Sequence, residues 1–245
     1  MTESRTNSVL DYSPDWVPTS LEVRVKEMKR VFPGVNFDTL ERVVDQLSVQ
    51  DPRADGGFAV FPTMEALKRC AEAGKQSSRH PLDTGTSYVL DAVKERLQIH
   101  DDLRGKSMWP GRGVAKLSPS TARLLSNDSY RFGDVHAIPF NAGRLYSGLS
   151  PFDSRAHAAQ AGHPPMHMAA LLCLLLTDRT RWAPGHLASW CAGTVMPVKH
   201  PDTTPRTVYI VDSGYHEDRC LALCFAFDSY RDETYRWASA PAFIP

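Results

Sequence analysis

The stretch Pro164-Pro-Met-His-Met-Ala-Ala-Leu-Leu-Cys-Leu-Leu-Leu-Thr-Asp178 decides the fold, because apolar residues continue in it through more than two helical turns. Its two prolines indicate the start of a helix, since proline in the first turn gives up only an amide that has no partner within the helix. From Met168 to Leu176 no helical face is polar, so other elements must cover this helix on every side. The stretch predicts a buried central helix over residues 166–177.

Weaker patterns on both sides of this helix predict the other elements. Apolar residues at helical spacing, often with a capping side chain before them, predict helices over residues 18–32, 38–47, 64–73, 86–99, 118–125 and 150–161. In the second of these helices, Asp38 and Glu41 have the spacing of a capping box. Runs of strand-forming residues predict strands over residues 56–61, 134–140, 206–211 and 220–227. Together these elements predict an α+β fold, with a helical N-terminal part and a small mixed sheet packed around the central helix.

Composition bounds the domain organisation and the class of protein. Residues 1–17 are predicted to form a flexible leader, and residues 18–245 a single globular domain. The 28 basic and 28 acidic residues cancel, so the summed charge does not steer the chain toward nucleic acid or an anionic membrane. No apolar run approaches the roughly 20 residues that span a bilayer, and no apolar signal region is present near the N-terminus. We therefore expect a soluble, cytoplasmic protein that does not associate with membranes.

A long loop between residues 101 and 119 carries the strongest binding signal, although Asp101 and Asp102 partly cancel its charge. Three glycines and two prolines interrupt every periodic pattern in it, and loops of this length are often functional. Its basic and aromatic side chains suit a phosphate group or single-stranded nucleic acid, because the positive charges would bind the phosphate backbone and the indole would stack on a base. These residues are Arg104, Lys106, Trp109, Arg112 and Lys116. A phosphate loop around Gly105-Lys-Ser107 is excluded, because its first glycine would fall at His100 and no strand precedes it. The structural alternative is a solvated surface loop with Trp109 packed into the core.

Cys191 is a candidate nucleophile, because it lies near Gly193, where a ligand could approach the backbone. A cysteine nucleophile needs a nearby base and a lowered pKa, and the histidines at 136, 157, 163 and 186 are possible partners. The catalytic candidates are accordingly Cys191, His186 and His136. The structural alternative is a buried thiol beside Trp190. Since the five cysteines are odd in number and two lie in apolar runs, no structural disulfide is expected.

Three further histidines are weak candidates for a metal site. His163 and His167 have the four-residue spacing of zinc ligands on a helix, but two prolines separate them and no glutamate follows the first. His216 precedes Cys220 and Cys224 at four-residue intervals, although the alternation of a strand explains both thiols without a metal. The turn at residues 212–218 is rich in acids and hydroxyls, as hairpin connections commonly are. The sequence therefore predicts neither a metal nor a cofactor.

No complete catalytic constellation is visible in the sequence. The leading hypothesis is a binding or interaction module whose contact surface is the loop at 104–116, with a phosphate-bearing ligand, nucleic acid or a protein as its partner. The alternative is a hydrolase or transferase that uses Cys191 or the His163/His167 pair. This alternative requires a cysteine, a histidine and an acid to converge in one pocket.

Overall fold

A computed structural model describes residues 17–74, 81–97, 116–146, 149–178, 189–190, 193–195, 206–213, 220–227 and 241–245. Seven α-helices lie in these ranges: α1 Leu21–Val31, α2 Asp38–Glu41, α3 Met64–Ala73, α4 Pro81–Leu97, α5 Pro119–Leu125, α6 Pro151–Gln160 and α7 Met168–Thr177. The strands are β1 Phe58–Pro62, β2 Lys116–Leu117, β3 Arg131–Phe132, β4 Val135–Asn141, β5 Ser189–Trp190, β6 Thr194–Val195, β7 Arg206–Ser213, β8 Cys220–Phe227 and β9 Ala242–Phe243. The described ranges combine these helices with small antiparallel sheets, so the predicted α+β class is confirmed.

The main sheet has the strand order β1-β4-β3, and β9 pairs with the far end of β4. Phe61 pairs with His136, and Phe140 pairs with Phe243 at the far end of β4. Two smaller sheets join β2 to β6 and β5 to the β7–β8 pair. Every strand pairing in the described ranges is antiparallel, so the expected mixed sheet is instead antiparallel.

Helix α7 confirms the predicted central helix. Its residues 168–175 are all buried, and α1, α4 and β1 pack against it. Side chains alternate across the sheet, so Phe61 and His136 lie on the face toward α7, which we call the inner face. Val60 and Ala137 lie on the opposite side, which we call the outer face. The predicted helix is therefore the central packing element of the described core.

The helix start predicted at Pro164 and Pro165 is wrong, because α7 begins at Met168. A residue before proline disfavours helical backbone angles, which restricts Pro164 to an extended conformation. The segment pairs with the C-terminal residues instead. The Phe243 amide donates to the Pro164 carbonyl at 2.8 Å, and the Met166 amide donates to the Pro241 carbonyl at 2.9 Å.

Local capping signals mark helix starts more reliably than periodicity marks helix lengths. The side chains of Ser20, Thr63, Ser118 and Ser150 accept the expected amide hydrogen bonds at the starts of α1, α3, α5 and α6. Asp38 does not cap α2, because it is the first residue of the helix and Phe37 occupies the N-cap position. Asn36 Oδ1 accepts the Asp38 amide at 2.9 Å. The predicted helix over 38–47 is a single turn followed by a 3₁₀ turn at Val44–Gln46.

One buried ion pair, which the sequence did not predict, joins the first and last helices of the core. Arg24 of α1 pairs with Asp178 at the end of α7, and both side chains are fully buried. Arg24 also donates to the Gly56 carbonyl at 3.0 Å and to the Phe58 carbonyl, at the start of β1. The Thr19 amide donates to Asp178 Oδ1 at 3.2 Å. These hydrogen bonds compensate much of the cost of burying two charges.

Among the described residues, no helix combines the length and the apolar character that crossing a bilayer requires. The division into a leader and one domain remains a prediction.

Candidate functional site

Most of the predicted basic loop lies outside the described residues, including Arg104, Lys106, Trp109 and Arg112. Its last member, Lys116, is exposed and opens β2, where it pairs with Val195 of β6. The Ser118 amide donates to the Gly193 carbonyl at 2.9 Å directly after this pairing. The C-terminal end of the loop is therefore fixed beside residues 193–195.

The start of α7 is the point where several predicted regions meet. The Gly193 amide donates to the Met166 carbonyl at 3.0 Å, and a Cβ at Gly193 would lie 2.3 Å from the Pro165 oxygen. Thr194 Oγ1 accepts the Met168 amide at 2.9 Å, which supplies the cap that α7 lacks locally. The fold thus brings the end of the basic loop and the chain that follows residue 191 to the segment between His163 and His167. Cys191, His186 and His216 themselves lie outside the described residues.

His136 and His167 lie in the core rather than at an open surface. The Phe61 ring lies between them, with its centroid 5.3 Å from that of His136 and 5.0 Å from that of His167. Phe243 of β9 packs against the same group, 6.3 Å from the His167 ring. Burial lowers the pKa of His136 to about 4 and that of His167 to about 3. Both imidazoles are therefore neutral at pH 7.

Neutral imidazole still needs hydrogen-bond partners, and this pair has few. Both ring nitrogens of His167 and Nδ1 of His136 have no hydrogen-bond partner in the described structure. Buried polar atoms normally find a partner, so these three nitrogens oppose folding. They adjoin apolar rings, and His136 contributes to the core of β4 rather than to a described cavity.

His163 has a different environment from His167, and the two rings do not contact each other. His163 Nδ1 forms a 2.7 Å hydrogen bond with the Tyr146 hydroxyl, and both side chains are buried. Burial, followed by the charge of Arg53, lowers the pKa of His163, while Asp51 opposes that shift. A neutral imidazole hydrogen-bonded to a phenol could exchange a proton with a ligand. No described cavity opens onto it.

The residues that hold Tyr146 in place form a polar turn. Asn141 Nδ2 donates to the Arg53 carbonyl at 2.7 Å, and its Oδ1 accepts the amide of Gly143 at 2.9 Å. Asp55 Oδ1 accepts the Ala142 amide at 2.8 Å. The side chain of Asn141 therefore locks two neighbouring loops together at one end of β4.

A cavity of about 280 Å³ lies on the outer face of the sheet, and we call it the outer cavity. Its floor is formed by Phe58, Ala137 and Pro139 of the two paired strands β1 and β4. The side chains around this floor come from the chain after α2, from the region of β3 and from the C-terminal residues. They are Leu47, Ser48, Gln50, Asp51, Ser129, Tyr130, Phe132, Ile244 and Pro245. The Ile244 amide donates to the Pro139 carbonyl at 2.8 Å, which holds the C-terminal wall in place.

The polar rim of the outer cavity centres on Asp51. Arg53 Nε donates to the two carboxylate oxygens of Asp51 at 2.9 and 3.0 Å. The side-chain hydrogen bond from Arg53 lowers the pKa of Asp51 to about 2, so Asp51 is ionised throughout the physiological range. An apolar concavity with few polar groups is the usual form of a small-molecule site. The outer cavity is the candidate site of the described structure.

A second concavity, of about 470 Å³, lies between α1 and the residues after α2. It is lined by charged side chains that pair with one another, such as Lys29 with Glu41 at 2.8 Å. Since this surface resembles an ordinary solvated helix face, it is a weaker candidate than the outer cavity.

Sequence reasoning did not find the outer cavity. Asp51, Tyr130 and Ile244 belong to three separate segments, and no local spacing connects them. The described residues contain no group of three or more histidine, cysteine or acidic side chains that could hold a metal ion. The chain matches no protein-family model, no curated protein and no solved structure.

Proposed function

We propose that this chain is a non-enzymatic binding protein whose ligand occupies the outer cavity. The observation that carries this proposal is the composition of the cavity, in which apolar and aromatic walls meet the charged rim at Asp51. Apolar walls supply the free energy of binding, and a few polar groups orient the ligand. A cytoplasmic location is part of the same proposal and is based on the sequence.

A fragment screen with a blocking variant tests this proposal. Ser48 is exposed and lines the cavity, so Ser48→Trp places an indole at the mouth without disturbing the core. Ser126→Trp is the matched control, because Ser126 is equally exposed and does not line the cavity. Ligand-observed NMR with small aromatic and aliphatic fragments should detect binding to the wild type and to the control, but not to Ser48→Trp. Fragments that bind all three proteins equally would place the binding site elsewhere.

The basic loop remains a second proposed contact surface for a phosphate-bearing ligand, nucleic acid or a protein. Its support is the pattern of charge around Trp109 in the sequence, together with the exposure of Lys116 in the described structure. Combined Trp109→Ala and Arg112→Ala substitutions should weaken binding of fluorescent single-stranded DNA. Lys26→Ala is a control, because this exposed lysine lies on α1. Unchanged affinity of the double variant would remove this surface from consideration.

The alternative function is a cysteine-dependent hydrolase or transferase. It is favoured by the junction at α7, because Cys191 lies two residues before Gly193, whose amide donates to Met166. The alternative predicts that iodoacetamide labels Cys191 well below pH 8, and that His163→Gln removes this reactivity. A labelling profile that follows an ordinary thiol, with half-maximal rate near pH 8.5, would exclude an activated nucleophile.

A further inference from the structure

The chemistry of the outer cavity favours one class of ligand. Three of its lining side chains are aromatic, namely Phe58, Tyr130 and Phe132. Among the described residues that line the cavity, Asp51 is the one with a charged side chain. The faces of aromatic rings carry negative potential and attract cations, and a carboxylate adds a direct Coulomb attraction. An anionic ligand would instead be repelled by Asp51, and the part of the wall that the structure describes contributes no cationic side chain.

Arg53 does not prevent a second cation from reaching Asp51. Its side chain is 54% exposed, and Arg53 is not among the described lining residues of the cavity. The backbone amide and the guanidinium of Arg53 already donate to both carboxylate oxygens of Asp51, so the carboxylate has little hydrogen-bonding capacity left for another donor. A fully methylated ammonium carries no N–H donor, so it can face the charge of Asp51 without displacing Arg53.

The remaining polar groups favour an alkylated ammonium over a primary one. Gln50 Nε2 donates to Ser48 Oγ, so these two polar side chains at the rim already bind each other. A primary ammonium has three N–H donors that need acceptors, whereas a fully methylated ammonium has none. Methyl groups also suit walls formed by Ala137, Pro139 and Ile244.

We infer that the outer cavity is a binding site for a quaternary alkylammonium group, held against Phe58, Tyr130 and Phe132 with its charge facing Asp51. This inference rests on the proposed function of the outer cavity and names its ligand class. The cavity, at about 280 Å³, has room for a trimethylammonium head and a short chain.

The test compares choline with its neutral isostere, 3,3-dimethyl-1-butanol, on the full chain. NMR titrations follow the methyl signals of Ala137 and Ile244, which line the cavity. Choline should shift both signals and bind more tightly than the isostere. Asp51→Asn should weaken choline binding roughly tenfold and leave the isostere unchanged. Asparagine keeps an Oδ1 acceptor for the Arg53 amide, which Asp51 accepts at 2.8 Å, so the local turn is preserved.

Asp45→Asn is the matched control, because Asp45 is exposed, belongs to the 3₁₀ turn after α2 and does not line the cavity. It should bind choline like the wild type. Equal affinity for choline and the isostere would overturn the ammonium inference and leave the cavity as a binding site. If neither compound shifts the cavity methyl signals, although other fragments do, the ammonium inference fails alone. If no fragment of the earlier screen binds there either, the proposed function fails with it.

Discussion

Lowering the pH from 7 to 5 should reduce the free energy of unfolding of this protein, because His136 and His167 are buried as neutral imidazoles. Their pKa values fall from the ordinary 6.5 to about 4 and about 3 in the folded state, mainly because burial disfavours the charged ring. Arg131 lowers the pKa of His136 further, while Glu65 and a hydrogen bond with the Tyr130 backbone oppose that shift. The unfolded chain therefore takes up protons below pH 6.5 that the folded chain does not. Stability is complete above pH 6.5 and is lost progressively as the pH falls toward the folded values.

The magnitude at pH 5 follows from the ordinary pKa. Since pH 5 lies about 1.5 pH units below 6.5, each histidine that stays neutral in the folded state lowers the free energy of unfolding by roughly 2 kcal/mol. The two together reduce the free energy of unfolding by roughly 4 kcal/mol, which for a chain of this size lowers Tm by roughly 8–16 °C. The size of the loss at pH 5 depends mainly on the histidine pKa in the unfolded chain, since both pKa values in the folded state lie below pH 5.

Urea unfolding at pH 7 and pH 5, with the wild type and His167→Phe, measures this loss. Phenylalanine suits a site between the rings of Phe61 and Phe243 and removes one titrating group. The pH-dependent loss should shrink by roughly 2 kcal/mol in this variant. His157→Gln is the control, because His157 is exposed on α6. This substitution should leave the pH-dependent loss of stability unchanged. Equal stability of the wild type at both pH values, or an equal loss of stability in His167→Phe and the wild type, would show that these histidines do not cause acid destabilisation.

Three further predictions concern single contacts, each measured by urea unfolding at pH 7. Asp178→Ala should lower the free energy of unfolding by about 3–5 kcal/mol because it leaves Arg24 as a buried charge, whereas Lys29→Met, at an exposed ion pair, should have a much smaller effect; equal losses would contradict the assignment. Gly193→Ala should lower the free energy of unfolding by about 1–3 kcal/mol, because the added methyl group would lie 2.3 Å from the Pro165 carbonyl oxygen. Wild-type stability of this variant would show that the backbone around residue 193 has room for a methyl group. Thr194→Val should lower the free energy of unfolding by about 1 kcal/mol, because it removes the hydroxyl that accepts the Met168 amide at the start of α7. Unchanged stability would mean that another group accepts this amide.

Local patterns in the sequence predicted much of the helical framework. The nine apolar residues from 168 to 176 required a covered helix whatever surrounded it, and α7 is buried as expected. Ser20 and Thr63 cap α1 and α3, because a capping hydroxyl acts on amides only two or three residues away. The basic loop and Cys191 remain predictions, since the described residues include only Lys116 of that set.

What the sequence alone determined was therefore the burial of α7, most helix starts and the α+β class, because each depends on neighbours within one or two turns or on strand alternation. Three long-range contacts could not be read from local patterns: Pro164 and Pro165 pair with the C-terminal residues, His167 packs beside Phe243, and Asp51 lies at the rim of an aromatic cavity. The physical reason is that the pairing of β4 with β1 and β9 brings together segments from distant parts of the chain. Periodicity specifies which face of an element is buried, but it does not specify which distant residues bury it.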